Sequence, residues 1–185
     1  KGHASAALYA ILYIYEYINF NQISTFGSDG SEFYGHVNHK ASHLIPLSTG
    51  SLGHGLPFAI GHALAKKNET KELIVVVMSD GECDEGTTWE SALIANHHHL
   101  NNLVVIIDRN RLQSIRSTES TLALEPLSEK WKSFGWDVFT VDGHNHKAIL
   151  ELIGPGERPK CIIANTIKGK GVSFMENKIE WHGVA

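Results

Sequence analysis

The sequence predicts an α/β fold: a doubly wound, mostly parallel sheet with helices on both faces. Two observations carry that prediction. Leu73-Ile74-Val75-Val76-Val77-Met78 and Leu103-Val104-Val105-Ile106-Ile107 are short, continuous, β-branched apolar runs, the pattern of strands buried on both faces. Helical stretches over residues 86–99, 126–134 and 145–153 alternate with these and with two weaker runs, Trp136 to Val141 and Cys161 to Ala164. That alternation is what a parallel sheet with crossover helices requires.

The elements ahead of the first strand are of another kind. Residues 4–18 read as an amphipathic helix, with Ala4, Ala7, Leu8, Ile11, Leu12, Tyr15 and Ile18 at helical spacing. Tyr9, Tyr13 and Tyr17 repeat every fourth residue, a packing stripe suited to a subunit interface. Residues 27–51 form a long loop rich in Gly, Ser, His and Asn, and loops of that length in a compact domain are usually functional or disordered. A helix is expected over 55–67, where Gly55, Ala59, Gly61 and Ala63 permit close packing. No linker, repeat or low-complexity tract interrupts the 185 residues, so a single domain over 1–185 is expected. The opening Lys1-Gly2-His3 lacks an initiator Met, which suggests natural sequence missing upstream.

Composition narrows the function classes. Hydrophobic residues make up 42% and charged residues 19%, ordinary globular values that exclude disorder of the whole. No apolar run approaches the roughly 20 residues that span a bilayer, and no signal peptide opens the chain. A net charge of -4 with pI near 6.3 argues against nucleic acid as the main partner. Cys83 and Cys161 form no CxxC pair, which fits reduced thiols in a cytoplasmic protein.

In open α/β sheets, ligands bind beyond the carboxyl ends of the strands. The first strong run ends in Ser79-Asp80-Gly81-Glu82-Cys83-Asp84-Glu85-Gly86, the second in Asp108-Arg109-Asn110-Arg111-Leu112. If these strands are neighbours, Asp80 and Asn110 converge. A carboxylate, an amide oxygen and a backbone carbonyl are hard donors suited to Mg²⁺ or Ca²⁺, and phosphate oxygens naturally complete a Mg²⁺ shell. Gly81 lets the backbone approach a phosphate, and the helix after Glu85 offers free N–H groups. The other reading makes Asp80-Gly81 a plain turn and Asp84 an N-cap, with Glu82 and Asp84 as solvated helix-start charges. These residue types alone leave both open.

The run Asp-Gly-x(3)-Glu-Gly, followed by Asn after the next strand, resembles the cofactor signature of thiamine diphosphate enzymes. Further segments resemble the transketolase family: Lys1-Gly2-His3 before a helix, Gly35-His36 in the long loop, and Ser48-Thr49-Gly50-Ser51-Leu52-Gly53-His54-Gly55. Phe134-Gly135-Trp136, Val141-Asp142-Gly143-His144 and Trp181-His182-Gly183 follow in the same order. The resemblance implies roles. Asp80, Asn110 and the main-chain oxygen of Leu112 would hold the divalent ion, Mg²⁺ or Ca²⁺, that binds the diphosphate. Gly81 and Glu82 would line the phosphate pocket, with His182 near the phosphates and Gly50, Ser51 and Leu52 contacting thiamine diphosphate from a facing loop. His3 and His36 would surround the thiazolium and the reacting carbons, where an imidazole can give and take protons near pH 7. Glu85 matches a carboxylate at the contact between the two halves of the active site.

The sequence departs from the family pattern in places. Ser79 stands for a usual Gly and Ser51 for a usual Pro, and Val37-Asn38-His39 follows His36 where the family begins with Pro. Nothing in 185 residues supplies the family's pyrimidine-binding half. The resemblance therefore implies the N-terminal subunit of a split transketolase, or a fragment of a whole one; Thr166 to Gly171 and Phe174 to Lys178 favour the split type. It implies a homodimer within a larger assembly with a pyrimidine-binding partner chain. It also implies two-carbon transfer between sugar phosphates in the pentose phosphate pathway. The alternatives are another thiamine enzyme, such as a deoxyxylulose-phosphate synthase, and a non-catalytic phosphate- or cofactor-binding module. His97-His98-His99 cannot converge on one ion, since consecutive helix residues project about 100° apart; at a helix C-terminus they complement the dipole. His54 and Lys168 suit either a ligand contact or a structural place, while His39, His43, His62, His144 and His146 read as surface or loop residues.

Overall fold

The structure, a computed structural model, describes residues 1–67 and 72–183. Two compact units divide it, Lys1–Leu52 and Gly53–Ala185, each with its own apolar core. In the first unit a 3₁₀ turn, Gly2–Ala4, runs into α1, Ser5–Ile14, and a short α2 follows at Phe20–Ile23. Helix α1 is shorter than the spacing predicts. The chain leaves it at Tyr15, Glu16 adopts a left-handed φ of 61°, and the Tyr17 N–H donates back to the Leu12 carbonyl, a Schellman-type ending. Ile18 is buried outside the helix. The tyrosine stripe does not exist as such: Tyr9 is fully buried, whereas Tyr13 and Tyr17 are 41% and 61% exposed, and Tyr17 lies beyond the helix.

Tyr9 instead centres the core of this unit. Its ring meets Phe26 and Phe33 edge-on, with centroids 5.9 and 5.2 Å away, and its hydroxyl donates to the His36 carbonyl at 3.3 Å. Phe33, Val37, Ala41 and Ile45 bury with it, so the long loop is wrapped onto α1 by every fourth residue or so. Ser5 Oγ adds a 2.7 Å bond to the Gly35 carbonyl.

The second unit carries the predicted sheet. Its strands are β1 (Ile74–Ser79), β2 (Leu103–Arg109), β3 (Asp137–Asp142) and β4 (Lys160–Asn165). They pair in parallel in the order β1-β2-β4-β3. Helices α3 (Gly55–Lys66) and α4 (Gly86–His97) flank β1, α5 is one turn at Thr118–Thr121, and α6 (Leu127–Ser133) and α7 (His146–Leu152) precede β3 and β4. Leu56, Ala63, Ala92, Ala95, Leu127 and Trp131 from the helices close on Met78, Val105, Ile107, Cys161 and Ile163 from the strands. Helix α7 packs on β3 and β4. The expectation that every strand is covered on both sides is met only in part, because Val75 and Val77 on edge strand β1 are 42% and 46% exposed. Among the described residues no helix is long and apolar enough to cross a membrane.

An aromatic cluster fixes α4 against α6. Trp89 stacks on Phe134 with centroids 5.5 Å apart, and Trp131 meets Trp136 edge-on at 4.9 Å. The indole of Trp136 donates to the Ala92 carbonyl, and that of Trp89 to the Cys83 carbonyl, both at 2.9 Å. Gly53 stands where no other residue fits. Its φ is +76°, and a Cβ would lie 2.5 Å from Thr87 Oγ1 and 2.6 Å from Glu85 Cβ. Gly53→Ala combines left-handed strain with a steric clash and should cost about 2–4 kcal/mol, read as a lowered urea midpoint at unchanged m-value.

Candidate functional site

Parallel pairing of β1 with β2 sets Ser79 beside Asp108, so the chain emerges from both strands at one sheet edge. Asp80, the next residue, is 1% exposed. Its Oδ2 accepts the Arg111 N–H at 2.7 Å and the Arg109 guanidinium at 3.1 Å, while Oδ1 accepts the Gly81 N–H at 2.9 Å. Arg111 reaches it only by taking a left-handed φ of 66°, strain that the surrounding contacts must hold. Asn110 Oδ1 accepts the Leu112 N–H at 3.0 Å, closing an Asx turn. Asp80, Gly81 and the turn carrying Asn110 and Leu112 are thus one assembly. Gln113 Nε2 straps it further by donating to Asp84 Oδ2 at 2.5 Å. Burial pushes the Asp80 carboxyl above its ordinary range; the Arg111 N–H and the Arg109 guanidinium oppose this.

The 3₁₀ turn Asp80–Asp84 is locked from within. Glu82 Oε2 accepts the Ser79 N–H at 2.8 Å, and Oε1 the Gly53 N–H at 3.4 Å. Both oxygens therefore serve the protein's own backbone. Ser79 sits at a φ of -82°, so the position tolerates a side chain. Thr88 Oγ1 holds the Glu82 carbonyl at 2.6 Å. Exposed Glu85 precedes α4 without giving it a side-chain cap, leaving first-turn N–H groups for other acceptors. Cys83 and Cys161 are free and buried, and burial pushes the Cys83 thiol up to about 12.

Sequence reasoning missed Arg109. It is 2% exposed, with Nη1 donating to Asp80 and to Thr118 Oγ1 at 2.7 Å, and Nη2 to Glu119 and Glu125 at 2.8 and 2.9 Å. A signal was present, since Arg109 follows Val105 and Ile107 at the period-2 spacing of one strand face. Burial draws the guanidinium down, but Glu125, Glu119 and Asp80 outweigh it and leave it raised. Elsewhere in this unit, Lys168 Nζ lies 3.4 Å from His182 Nδ1. The Ile167 N–H donates to His144 Nε2 at 2.9 Å. His54 is the exposed N-cap residue of α3, and His97 closes α4.

In the first unit His3 and His36 come together. Their Nε2 atoms are 3.5 Å apart and their rings meet edge-on at 4.7 Å. The His36 ring lies against Gly50, where a Cβ would be 3.6 Å from it. Gly2 approaches Thr49 so closely that a Cβ would fall 2.6 Å from Thr49 Oγ1, an atom buried without a hydrogen-bond partner among the described residues. His39 bonds Ser48 Oγ through its N–H and through Nδ1, at 3.1 and 2.5 Å, and Thr49 N–H donates to the Val37 carbonyl. Val37-Asn38-His39 thus ties the histidine loop to the segment 48–50. Ser51 is exposed and Leu52 half-buried in the turn that follows.

The donor set fits a hard divalent ion: a buried carboxylate with an oxygen that receives a single hydrogen bond, an amide oxygen and a main-chain carbonyl in one turn. The thiamine diphosphate-binding domain of the transketolase family matches residues 1–185. The chain is 42% identical to one subunit of the apulose-4-phosphate transketolase of Actinobacillus succinogenes, over 98% of this chain and 67% of that one. It is 34% identical to human transketolase, over 99% of this chain but 30% of that protein. The solved transketolase of Campylobacter jejuni superposes with a TM-score of 0.90 at 27% identity, covering 98% of this chain and 30% of that one. The chain therefore spans about two thirds of the Actinobacillus relative and under a third of the whole transketolases.

The arginine fork predicts a pH signature. Glu125 lies below the ordinary carboxylate range, first through its bond from Arg109 and then through the Leu127 N–H. Slight burial pushes Glu119 up, but Arg109 and the Glu125 and Leu124 N–H groups leave it lowered. Carboxylates lowered on folding stabilise above their unfolded values, and this is lost as pH falls through the folded ones. The stability gap between wild type and E119Q/E125Q should be widest near neutrality and close on acidification, followed as urea midpoints from pH 7 to 3.

Proposed function

This chain belongs to the transketolase family, matching its thiamine diphosphate-binding domain throughout, and we propose from that premise that it is the diphosphate-binding, N-terminal subunit of a transketolase. The single observation that carries the reading is the Asp80 assembly, in which a buried carboxylate and the Asn110–Leu112 turn are held together by direct hydrogen bonds. The two units act as parts of one thiamine diphosphate-binding domain. Asp80, Asn110 and the Leu112 carbonyl bind Mg²⁺, with Ca²⁺ as the substitute. Gly81 lets the diphosphate approach, Glu82 fixes the turn that presents it, and His182, with Lys168 beside it, contacts the phosphates. Gly50, Ser51 and Leu52 contact the cofactor's other parts. Glu85 meets the partner half.

When bound, thiamine diphosphate supplies the carbanion and the electron sink for breaking a carbon–carbon bond next to a carbonyl. His3 and His36 take up and return the hydroxyl protons that such cleavage and re-formation release. Their exposed, adjacent Nε2 atoms suit that traffic, because an imidazole nitrogen can both donate and accept a proton. The donor loses a two-carbon ketol unit to an aldose phosphate, through a homodimer of this chain joined to a pyrimidine-binding partner chain in the cytoplasm. A deoxyxylulose-phosphate synthase or a non-catalytic module is disfavoured, since relatives matching over nearly the whole chain carry transketolase names. Those names differ in sugar, apulose-4-phosphate in one and 6-deoxy-6-sulfo-D-fructose in the other, so the pentose phosphate pathway is one candidate setting for this chain.

Two experiments test this reading. Asp80→Asn keeps an acceptor for Arg109 but removes the anionic donor; calorimetry should show Mg²⁺-dependent binding of thiamine diphosphate lost while the circular dichroism spectrum persists. Retained affinity would remove the central claim. In a complex reconstituted with a pyrimidine-binding chain, His36→Ala should lower kcat by about 10²–10⁴-fold, a barrier increase of roughly 3–5 kcal/mol, with cofactor affinity little changed. A normal kcat with a reduced melting temperature would assign His36 to packing of the long loop instead.

A further inference from the structure

We propose that Arg109 is a positioning residue that restricts Asp80 to binding the divalent ion through one oxygen, and so biases the site toward Mg²⁺ over Ca²⁺. This rests on the thiamine diphosphate reading above. A carboxylate offers about four lone-pair positions, two on each oxygen. Asp80 Oδ2 receives two hydrogen bonds, from Arg111 N–H and Arg109 Nη1, and is filled; Oδ1 receives one, from Gly81, and keeps one position open. Arg109 cannot vacate Oδ2 by losing its proton. Nor can it swing away, because Thr118 Oγ1 shares Nη1 while Glu119 and Glu125 hold Nη2. The side chain is 1% exposed, so water does not compete for it.

Arg109 also binds the site to the chain that follows it. Its four partners come from the end of β1, from α5 and from the residue before Pro126. Its own carbonyl accepts the Thr166 N–H at 3.1 Å. A fixed guanidinium on one carboxylate oxygen has a chemical consequence. Ca²⁺ takes 6–8 oxygens and readily accepts a bidentate carboxylate, whereas Mg²⁺ holds a tight octahedron at about 2.0–2.1 Å and prefers single oxygens with waters and phosphates. Tying off Oδ2 removes the bidentate mode that the larger ion exploits.

The test is the ratio of affinities rather than affinity alone. The complex reconstituted with a pyrimidine-binding chain, carrying this chain as wild type or as Arg109→Lys, is titrated calorimetrically with thiamine diphosphate in saturating Mg²⁺ or Ca²⁺. Lysine keeps the charge but not the fork. The Mg²⁺-supported affinity should fall about 10–100-fold, the usual cost of losing a partner that orients a metal ligand, and the Ca²⁺-supported affinity clearly less. A parallel fall with both ions, or none with either, overturns the proposal, since a merely structural arginine would not change the ratio. Should Arg109→Lys fail to fold, Glu125→Gln loosens the fork while leaving the Asp80 contact; a smaller shift of the same sign supports the assignment and an unchanged ratio overturns it. Wild type that binds thiamine diphosphate with neither ion would instead overturn the cofactor reading, and the proposal with it.

Discussion

A carboxylate buried at the end of β1 is the constraint on which the rest of the second unit's functional edge depends. Leaving such a charge without a partner costs several kcal/mol, so Asp80 must be satisfied by whatever emerges beside it. Parallel register brings the end of β2 there, and the chain answers with a left-handed Arg111, whose N–H faces the carboxylate. A β-carbon in that conformation costs about 1–2 kcal/mol, less than the stranded charge. The same turn sets Asn110 and Leu112 in place. Arg109 spreads the arrangement outward to α5 and Glu125. The placing of Asn110 and Leu112 at this edge is a by-product of satisfying one buried carboxylate.

The sheet was legible because burial on both faces writes itself into consecutive apolar residues. All four strands lie within one or two residues of their runs, including the weaker pair at Asp137–Asp142 and Lys160–Asn165. Their pairing order was not legible, since no local pattern encodes which strand lies beside which. Helix α1 was misread at its end for a definite reason. Glu16 closes it in a left-handed conformation without the Gly that normally announces such a cap, while apolar spacing runs on through Ile18. Helix α2 carries its own signature, an Asn19/Gln22 capping box, but four residues are too few to produce a period.

The site divides by whether a residue acts through position or through partners. That Asp80, Gly81 and Asn110 meet at one sheet edge was readable, because neighbouring parallel strands bring the residues after their carboxyl ends together. Glu82 was expected in a phosphate pocket, and its bonding was not legible: both oxygens are engaged by the backbone of Ser79 and Gly53, a long-range latch invisible in sequence. The expectation that tyrosines 9, 13 and 17 form one stripe failed at Tyr17 because spacing describes a helix face only while the helix lasts, and within α1 the long loop covers Tyr9 but leaves Tyr13 exposed. Arg109 shows the converse error. A charged residue at a strand end invites an exposed reading, yet the inward period of β2 outranks charge once Asp80, Glu119 and Glu125 stand ready to receive it.

The two units place their chemistry in opposite settings. The Asp80 carboxylate and the Arg109 guanidinium are enclosed and multiply held, and the proposed site for a small, hard ion would gain from that stiffness, because an octahedral shell tolerates little displacement. His3, in the 3₁₀ turn before α1, and His36, on the long loop, are both exposed, and the loop's hold is local: the Tyr9 hydroxyl on the His36 carbonyl, and the His39–Ser48 and Val37–Thr49 bonds. The proton exchange proposed for these imidazoles needs access to substrate and solvent, which burial of the Asp80 kind would deny. The loop answers by fixing its backbone and leaving the imidazoles open. Val37 and Ile45 anchor it in the core of the first unit, and Gly50 keeps the space beside the His36 ring clear of a Cβ. Anchored backbone with accessible rings is what the proposed proton transfer would ask of this loop, and residues 36–50 hold their course with apolar anchors rather than with regular secondary structure.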